Sequence, residues 1–348
     1  MKTLCSAPAK LILSGEHAVL YQCPALSMAI DLPTRCECEF IAGSLFSITI
    51  ELVNYQQKLC FPYERWQKLC IESESRYRLF EQRLSAIQTV LTRPVDLILT
   101  TLFHFEELRP LKQGEWHIKI DSDAYIGRGL GSSAAVILSV LASLIKHHNL
   151  TPSKDTLLAL AQRIECRQHG KSSGIDPATL IYGGLLQYQS TLPIQRVNAE
   201  KLNAWLIDTG KPLSSTGQCV EWVRLQWAEH KTIWKNFKKV TQKMVVAWVE
   251  EDVHAFKQSI QENQKLLVKL GVVPHKVQYF IERLEADYSA VAKVCGAGSI
   301  SGDNAGVVLC LSEQAPYELC ALYGYECQAL RLQTHGIECT VIPFENKP

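Results

Sequence analysis

The chain has 348 residues, of which 47% are hydrophobic and 20% charged, and its formal net charge is +1. This composition is typical of a globular protein that folds in water, and the length favours two domains over one core. A chain without a basic excess is poorly suited to neutralising phosphates, so we expect neither nucleic acid nor a membrane surface as a partner.

The cysteines and histidines do not form an obvious metal or disulfide pattern. There are 13 cysteines, an odd number, and no C-x-x-C pair. We therefore expect reduced thiols that pack as small apolar residues. His147 and His148 lack the spacing of metal ligands and are predicted to lie on the surface. The apolar stretch after Met1 is too short for a secretion signal, so the sequence favours a cytoplasmic protein.

The N-terminal part is predicted to combine strands and helices. Alternating or apolar runs predict strands over residues 4–14, 27–40, 46–53 and 116–120. Apolar residues at helical spacing predict a helix within 77–91, whereas 95–105 fits a buried helix or a buried strand equally well. We expect this middle region to pack as helices beside the first domain.

A glycine-rich turn precedes the longest apolar run of the chain. Gly127, Gly129 and Gly131 alternate along the turn, and Ser132 and Ser133 follow. Glycine tolerates positive φ, and a turn that leads into a helix presents free N–H groups to an anion. Either serine can cap that helix. The alternative is an ordinary turn before a core helix, and the spacing matches neither a P-loop nor a dinucleotide fingerprint.

Two carboxylates follow in the next predicted helix and loop. Glu165 lies in the last turn of a helix predicted over 154–168, where a negative charge opposes the helix dipole and favours a cation partner. A solvated helix face explains it equally well. Asp176 precedes Pro177, and the pair also fits the N-cap and first residue of a helix.

The C-terminal half is predicted to be rich in helices. Helices are expected over residues 220–249, 252–270 and 274–287, after a short strand that ends in a turn over 205–210, and a further strand is expected over 306–311. A second glycine-rich stretch at 293–303 separates the last helix from that strand.

Four stretches together resemble the GHMP kinases, and most closely the mevalonate kinases of that family. They read A-P-A-K-L-I-L-S-G-E-H-A-V at 7–19, G-R-G-L-G-S-S-A-A at 127–135, S-G-I-D at 173–176 and K-V-C-G-A-G at 293–298. The chain departs from the family pattern at three places. Ala9 and Tyr125 replace a glycine and a proline, and residues 299–301 replace glycines of the third motif.

The resemblance implies an α+β fold of two domains. Residues 1–190 would form a domain like the second domain of ribosomal protein S5, and residues 191–348 a ferredoxin-like domain, with ATP between them. The implied reaction is transfer of a phosphoryl group from ATP to the 5-hydroxyl of mevalonate, and a homodimer is compatible with it. Phosphomevalonate or another small alcohol remains open as the acceptor, as does a non-catalytic sensor with the same fold.

The resemblance also implies roles for individual residues. Asp176 would accept the proton of the acceptor hydroxyl beside Lys10, whereas Glu16, His17 and Thr216 would contact the acceptor. Mg²⁺, the implied cofactor, would be held by Ser133 and Glu165. Residues expected to bind ATP are Gly127, Arg128, Gly129, Leu130, Gly131, Ser132, Ser133, Ala134, Gly296, Ala297 and Gly298.

A phosphorylated acceptor would need additional cations. Arg35, Arg128, Lys171 and Lys211 are candidates, and the Gly302–Asp303 pair is typical of the phosphomevalonate kinases.

Overall fold

The computed structural model describes residues 1–190, 192–197 and 202–343. Over these ranges the chain forms two sheets with helices packed against them. The strands are β1 (Lys2–Ser14), β2 (Ala25–Ala42), β3 (Ser47–Leu52), β4 (Gln57–Pro62), β5 (Gly114–Ser122), β6 (Leu185–Tyr188), β7 (Gln195–Val197), β8 (Trp205–Asp208), β9 (Val291–Cys295), β10 (Val307–Leu311), β11 (Glu326–Ala329) and β12 (Glu338–Ile342). The α-helices are α1 (Tyr63–Glu81), α2 (Pro94–Phe105), α3 (Ser132–His147), α4 (Lys154–His169), α5 (Ile175–Tyr182), α6 (Thr216–Trp227), α7 (Lys231–Val249), α8 (Val253–Leu270), α9 (His275–Tyr288) and α10 (Tyr317–Tyr323).

The first sheet is organised around the long strand β2. Its order is β12-β1-β2-β5-β3-β4, with the β6–β7 pair also joined to β2. Only the β3–β5 pairing is parallel among the described strands. Side chains from this sheet and from α1 to α4 form one buried cluster, which includes Trp66, Phe105 and Trp116.

The second sheet is antiparallel, with the order β11-β8-β10-β9. Side chains of helices α7 to α9 pack on it around Phe237 and Phe280. A further cluster joins the two sheets, because Leu11 and Leu26 of the first pack with Leu206 and Leu309 of the second. The α+β class is confirmed.

The predicted domain boundary stays a prediction. It falls beside residue 191, which lies outside the described residues. Although β12 belongs to the last residues of the chain, it pairs with β1 of the first sheet.

Most predicted elements are present, but the bounds of two helices differ and several short strands were missed. The helix expected within 77–91 ends earlier, as α1 closes at Glu81 and Arg83 adopts a positive φ of 61°. The single helix expected over 220–249 is two helices, because α6 ends at Trp227 and α7 begins at Lys231. Strand β4 was missed, since one of its six residues is buried and its pattern carries no clear period.

The stretch that fitted either a helix or a strand is helix α2. Pro94 begins it, and Asp96 accepts a hydrogen bond from the backbone N–H of Arg93, a favourable start for a helix. The surface prediction for His147 is wrong: this side chain is buried, and its Nε2 lies 3.2 Å from the carbonyl oxygen of Cys38. In the described ranges no helix is long and apolar enough to cross a bilayer.

The prediction of reduced cysteines is wrong for two of them. Cys5 and Cys339 are directly opposite in the register of β1 and β12, with Cα atoms 4.0 Å apart, and they form a disulfide. Because 334 residues separate them, no local spacing indicated the pair. The other cysteines are free thiols, most of them buried.

We expect Cys339→Ser to lower the free energy of unfolding by roughly 2–4 kcal/mol under non-reducing conditions, because the crosslink restricts the unfolded chain. Urea unfolding followed by circular dichroism measures the change. Cys60→Ser, which removes an exposed free thiol, is the control and should leave the midpoint unchanged. Equal midpoints for the Cys339 variant and the parent protein would contradict the stabilising role.

Candidate active site

A cleft of about 600 Å³ brings the glycine turns and the two carboxylates together. Its lining comes from the end of β1, the N-termini of α3 and α5, the end of α4, and the loops after β8 and β9. Of the residues predicted to bind ATP, Leu130 and Ala134 are buried and do not line the cleft, whereas the glycines of both turns and both serines do.

Helix α3 begins without a side-chain cap. Its N-cap is Gly131 in the left-handed conformation, with φ of 72°, so the prediction that Ser132 or Ser133 caps the helix is wrong. The Oγ of Ser133 instead lies 2.9 Å from Nε2 of His169, at the end of α4. The free N–H groups and the positive end of the helix dipole therefore remain for an anion in the cleft.

Lys10 and Asp176 form an ion pair at the base of the cleft. The distance from Nζ to Oδ1 is 3.1 Å, and the side chains are 4% and 24% exposed, respectively. Lys10 is anchored by its backbone N–H, which donates to the carbonyl oxygen of Leu130 at 2.9 Å. A Cβ on Gly131 would lie 2.8 Å from Cγ of Lys10, so the absence of a side chain there lets the lysine pass.

Asp176 is the second residue of helix α5, after the N-cap Gly174, so its predicted N-cap position is wrong. Gly174 has a φ of 86°, and a carboxylate in this first turn lies at the positive end of the helix dipole. The backbone thus fixes Asp176 while one carboxylate oxygen faces Lys10.

Glu165 is buried on α4 and accepts a hydrogen bond from Oγ of Ser172 at 2.6 Å. Burial and the nearby charge of Asp176 raise the pKa of Glu165 to about 8, although Ser172 and Lys10 act in the opposite direction. Burial also lowers the pKa of His169, which keeps its ring neutral beside Ser133. This corner of the cleft therefore has an excess of carboxylate oxygens and room for a positive charge.

The two glycine turns approach each other at backbone distance. A Cβ on Gly296 would lie 3.1 Å from the Cα of Gly129, and both residues have positive φ. Arg128, between the turn glycines, donates from Nε to Oδ2 of Asp208 at 3.0 Å. Because no side chain separates the two turns, the backbone N–H groups of both can face one ligand in the cleft.

The three residues predicted to contact the acceptor line the cleft, but they are held differently. Glu16 is buried, and its carboxylate pairs with Lys293. His17 donates from Nε2 to the carbonyl oxygen of Ala297 at 3.1 Å, and burial lowers its pKa, so the ring is neutral. Thr216 is the first residue of α6, directly after the N-cap Ser215.

Two of the four lysine and arginine side chains that line the described cleft, Lys10 and Arg128, are neutralised by neighbouring carboxylates. Among the described residues that line it, Lys171 and Lys211 are those whose ammonium groups have no acidic partner. Arg35 does not belong to the cleft, because it forms an exposed pair with Asp123.

Sequence reasoning missed several residues that hold the site. His169 follows Glu165 by four positions, so helical periodicity alone indicates that the two share a face of α4. Ser172 precedes Asp176 in the same loop. The partner of Glu16, Lys293, was recognised only as the start of the second glycine stretch, and no local signal pointed to the pair.

Comparison with known proteins identifies what the chain is similar to. The family model described as the GHMP kinases N terminal domain matches residues 96–184. A mevalonate kinase of Pyrococcus abyssi is 29% identical over 304 residues, which is 85% of each chain. The crystal structure of the Methanococcus jannaschii mevalonate kinase superposes with a TM-score of 0.74 at 21% identity, covering 94% of this chain and 98% of that one.

A Lactococcus lactis galactokinase, crystallised with galactose, superposes with a TM-score of 0.76 at 13% identity and covers 97% of this chain and 95% of its own. The fold is therefore shared by proteins named for different acceptors, and it does not by itself select the acceptor.

We expect the stability of the metal-free protein to fall as pH rises from about 4.5 to about 8 because of Glu165. The pKa of this carboxyl is raised from 4.5 to about 8 in the folded state, so the folded protein binds a proton that the unfolded chain releases over this range. Glu165→Gln removes the titrating group and should flatten this part of the profile. Urea unfolding at several pH values in a chelating buffer measures it.

The matched control is Glu229→Gln, which changes an exposed carboxyl. It should retain the pH dependence of the parent protein. A profile for Glu165→Gln that falls as steeply as that of the parent would show that Glu165 is ionised throughout.

Proposed function

We propose that the chain is a GHMP kinase that transfers the terminal phosphoryl group of ATP to the 5-hydroxyl of mevalonate. The observation that carries the proposal is the Lys10–Asp176 pair beneath the uncapped N-terminus of α3, facing a cleft lined by both glycine turns. Phosphoryl transfer requires positioning and charge neutralisation more than covalent participation of the protein.

The phosphates of ATP are proposed to lie between the two glycine turns. Free N–H groups at the start of α3 donate to phosphate oxygens, and the helix dipole stabilises their charge. Gly129 and Gly296 allow the two turns to approach closely, since a Cβ at either position would lie 3.1–3.2 Å from backbone atoms of the opposite turn. Lys211, whose Cε lies 3.6 Å from where a Cβ of Gly127 would be, adds an unpaired positive charge at the first turn.

Asp176 is proposed to accept the proton of the attacking hydroxyl. Its position at the base of the cleft allows one carboxylate oxygen to contact Lys10 and leaves the other for the acceptor. The ammonium group of Lys10 balances the carboxylate and stabilises the acceptor oxygen as it loses its proton.

The residues present fit a magnesium ion. Ser133 and Glu165 offer hard oxygen donors on neighbouring helices, and burial beside Asp176 raises the pKa of Glu165, a cost that a bound cation would offset. Mg²⁺ bound there with ATP would neutralise phosphate charge and orient the transferred group.

The charge distribution supports an acceptor with one carboxylate over an acceptor that already carries a phosphate. The charge of Arg128, a candidate for binding a second phosphate, is already balanced by Asp208, which accepts from its Nε, although its buried Nη1 has no hydrogen-bond partner among the described residues. Lys171, in the loop that leads to Asp176, is the unpaired cation on the α5 side of the described cleft and is available for a carboxylate. Phosphomevalonate is therefore the second candidate, and the same assay distinguishes it.

We expect release of ADP with Mg·ATP and mevalonate, and little release with 5-phosphomevalonate. A coupled assay of ADP with each acceptor side by side measures the preference. Turnover on 5-phosphomevalonate alone would show that the charge argument is wrong, and binding of ATP without turnover on either would favour another acceptor or a sensor.

We expect Asp176→Asn to reduce kcat by about 10²–10⁴-fold, the usual contribution of a general base, while an ATP analogue still binds. Steady-state kinetics and calorimetric titration measure the two properties. Asp287→Asn, an exposed change on α9, is the control and should retain parental kinetics. Undiminished kcat in the Asp176 variant would remove it from the mechanism.

A further inference from the structure

The most deeply buried ion pair among the described residues joins two segments of the cleft. Lys293 on β9 and Glu16, just after β1, pair with side chains that are 0% and 1% exposed. Nζ of Lys293 also donates to the carbonyl oxygens of Ile12, at 3.1 Å, and Val294, at 2.7 Å. The remaining carboxylate oxygen of Glu16 accepts a hydrogen bond from Nδ2 of Asn263 at 3.3 Å.

The pair continues into a network that spans both sheets. Asn263 lies on α8, and its Oδ1 accepts a hydrogen bond from Oγ of Ser14 at 2.9 Å. Ser14, the last residue of β1, also lies 2.7 Å from Oγ1 of Thr241 on α7. The network therefore ties the end of β1, in the first sheet, to the helices and the strand of the second.

Each partner of the ion pair is close in sequence to a residue that lines the cleft. Lys293 precedes Gly296 by three positions, and Gly296 is the residue that contacts Gly129 of the other turn. Glu16 precedes His17, whose Nε2 donates to the carbonyl oxygen of Ala297 in the same turn. A shift of the ion pair would therefore move the second glycine turn and His17 together.

Stability is a weak reason to retain such a pair. Removing two charges from water costs several kcal/mol per ion, and an apolar pair of similar volume is often as stable. A buried pair with its hydrogen bonds satisfied does, however, specify one geometry. Here the geometry that the pair specifies is the distance between the end of β1 and strand β9, which lie on two sides of the cleft.

We propose that Glu16 and Lys293 are positioning residues that hold the second glycine turn and His17 at the distance that ATP and the acceptor require. Both act through Ala297 and His17 and do not touch the reacting atoms. The inference rests on the proposed function for the identity of the acceptor, but its effect on nucleotide binding is independent of that identity.

The test compares Glu16→Gln, Lys293→Met and the double variant. Each single change leaves one buried charge without its partner and should lower the melting temperature strongly. The double variant removes both charges, so its melting temperature should return most of the way to that of the parent. It should nevertheless lose the fixed distance between the second glycine turn and His17. We expect its kcat/KM to fall by about 10²-fold, the effect of a misplacement near 1 Å, and its affinity for a non-hydrolysable ATP analogue to fall as well.

The matched control is Lys243→Met with Glu262→Gln, which removes an exposed ion pair of the same residue types between α7 and α8. It should leave the affinity and kcat/KM unchanged. A double variant at Glu16 and Lys293 with parental affinity and kcat/KM, and a change in melting temperature alone, would overturn the proposal.

Glu16→Asp keeps the charge and withdraws the carboxylate by one methylene, so it decides the question if the double variant fails to fold. Weaker binding of the ATP analogue by this folded variant supports the proposal, and parental binding overturns it. If the parent protein binds the analogue but does not phosphorylate mevalonate, the proposed acceptor fails, and the binding comparison still tests the positioning pair.

Discussion

The site depends on one close approach, in which Lys10 crosses beneath the first turn of α3 to reach Asp176. The approach exists because position 131 is a glycine: a Cβ there would lie 2.8 Å from the lysine side chain. The same glycine ends the turn in a left-handed conformation and leaves the helix uncapped. Because Gly131 has no side chain, Lys10 can reach Asp176, and the N-terminus of α3 stays open to an anion.

The cleft also contains several buried charged side chains. Lys10 and Lys293 each have a carboxylate partner, and that pairing offsets the cost of burial. Glu165 has a hydroxyl partner but no ion pair among the described residues, and burial together with the nearby charge of Asp176 raises its pKa. Two of these buried charges are therefore neutralised within the protein, and under the proposed function the bound Mg²⁺ would neutralise that of Glu165.

The fold alone leaves the acceptor undecided, because the arrangement of sheets and helices is shared with a galactokinase as well as with mevalonate kinases. Discrimination must then come from the charges that face the cleft. Arg128 is turned toward Asp208, whereas Lys171 and Lys211 have no acidic partner. Under the proposed function, these two cations are available for the triphosphate and for a single carboxylate of the acceptor.

The sequence by itself determined the family resemblance, which implied the α+β class, and the short stretches that form the cleft, because glycines that adopt a positive φ, such as Gly129 and Gly131, leave local signals in the sequence. Tertiary structure alone decided the Cys5–Cys339 disulfide and the Glu16–Lys293 pair. Their partners are hundreds of residues apart, and such contacts depend on strand register and sheet packing, which no local pattern encodes.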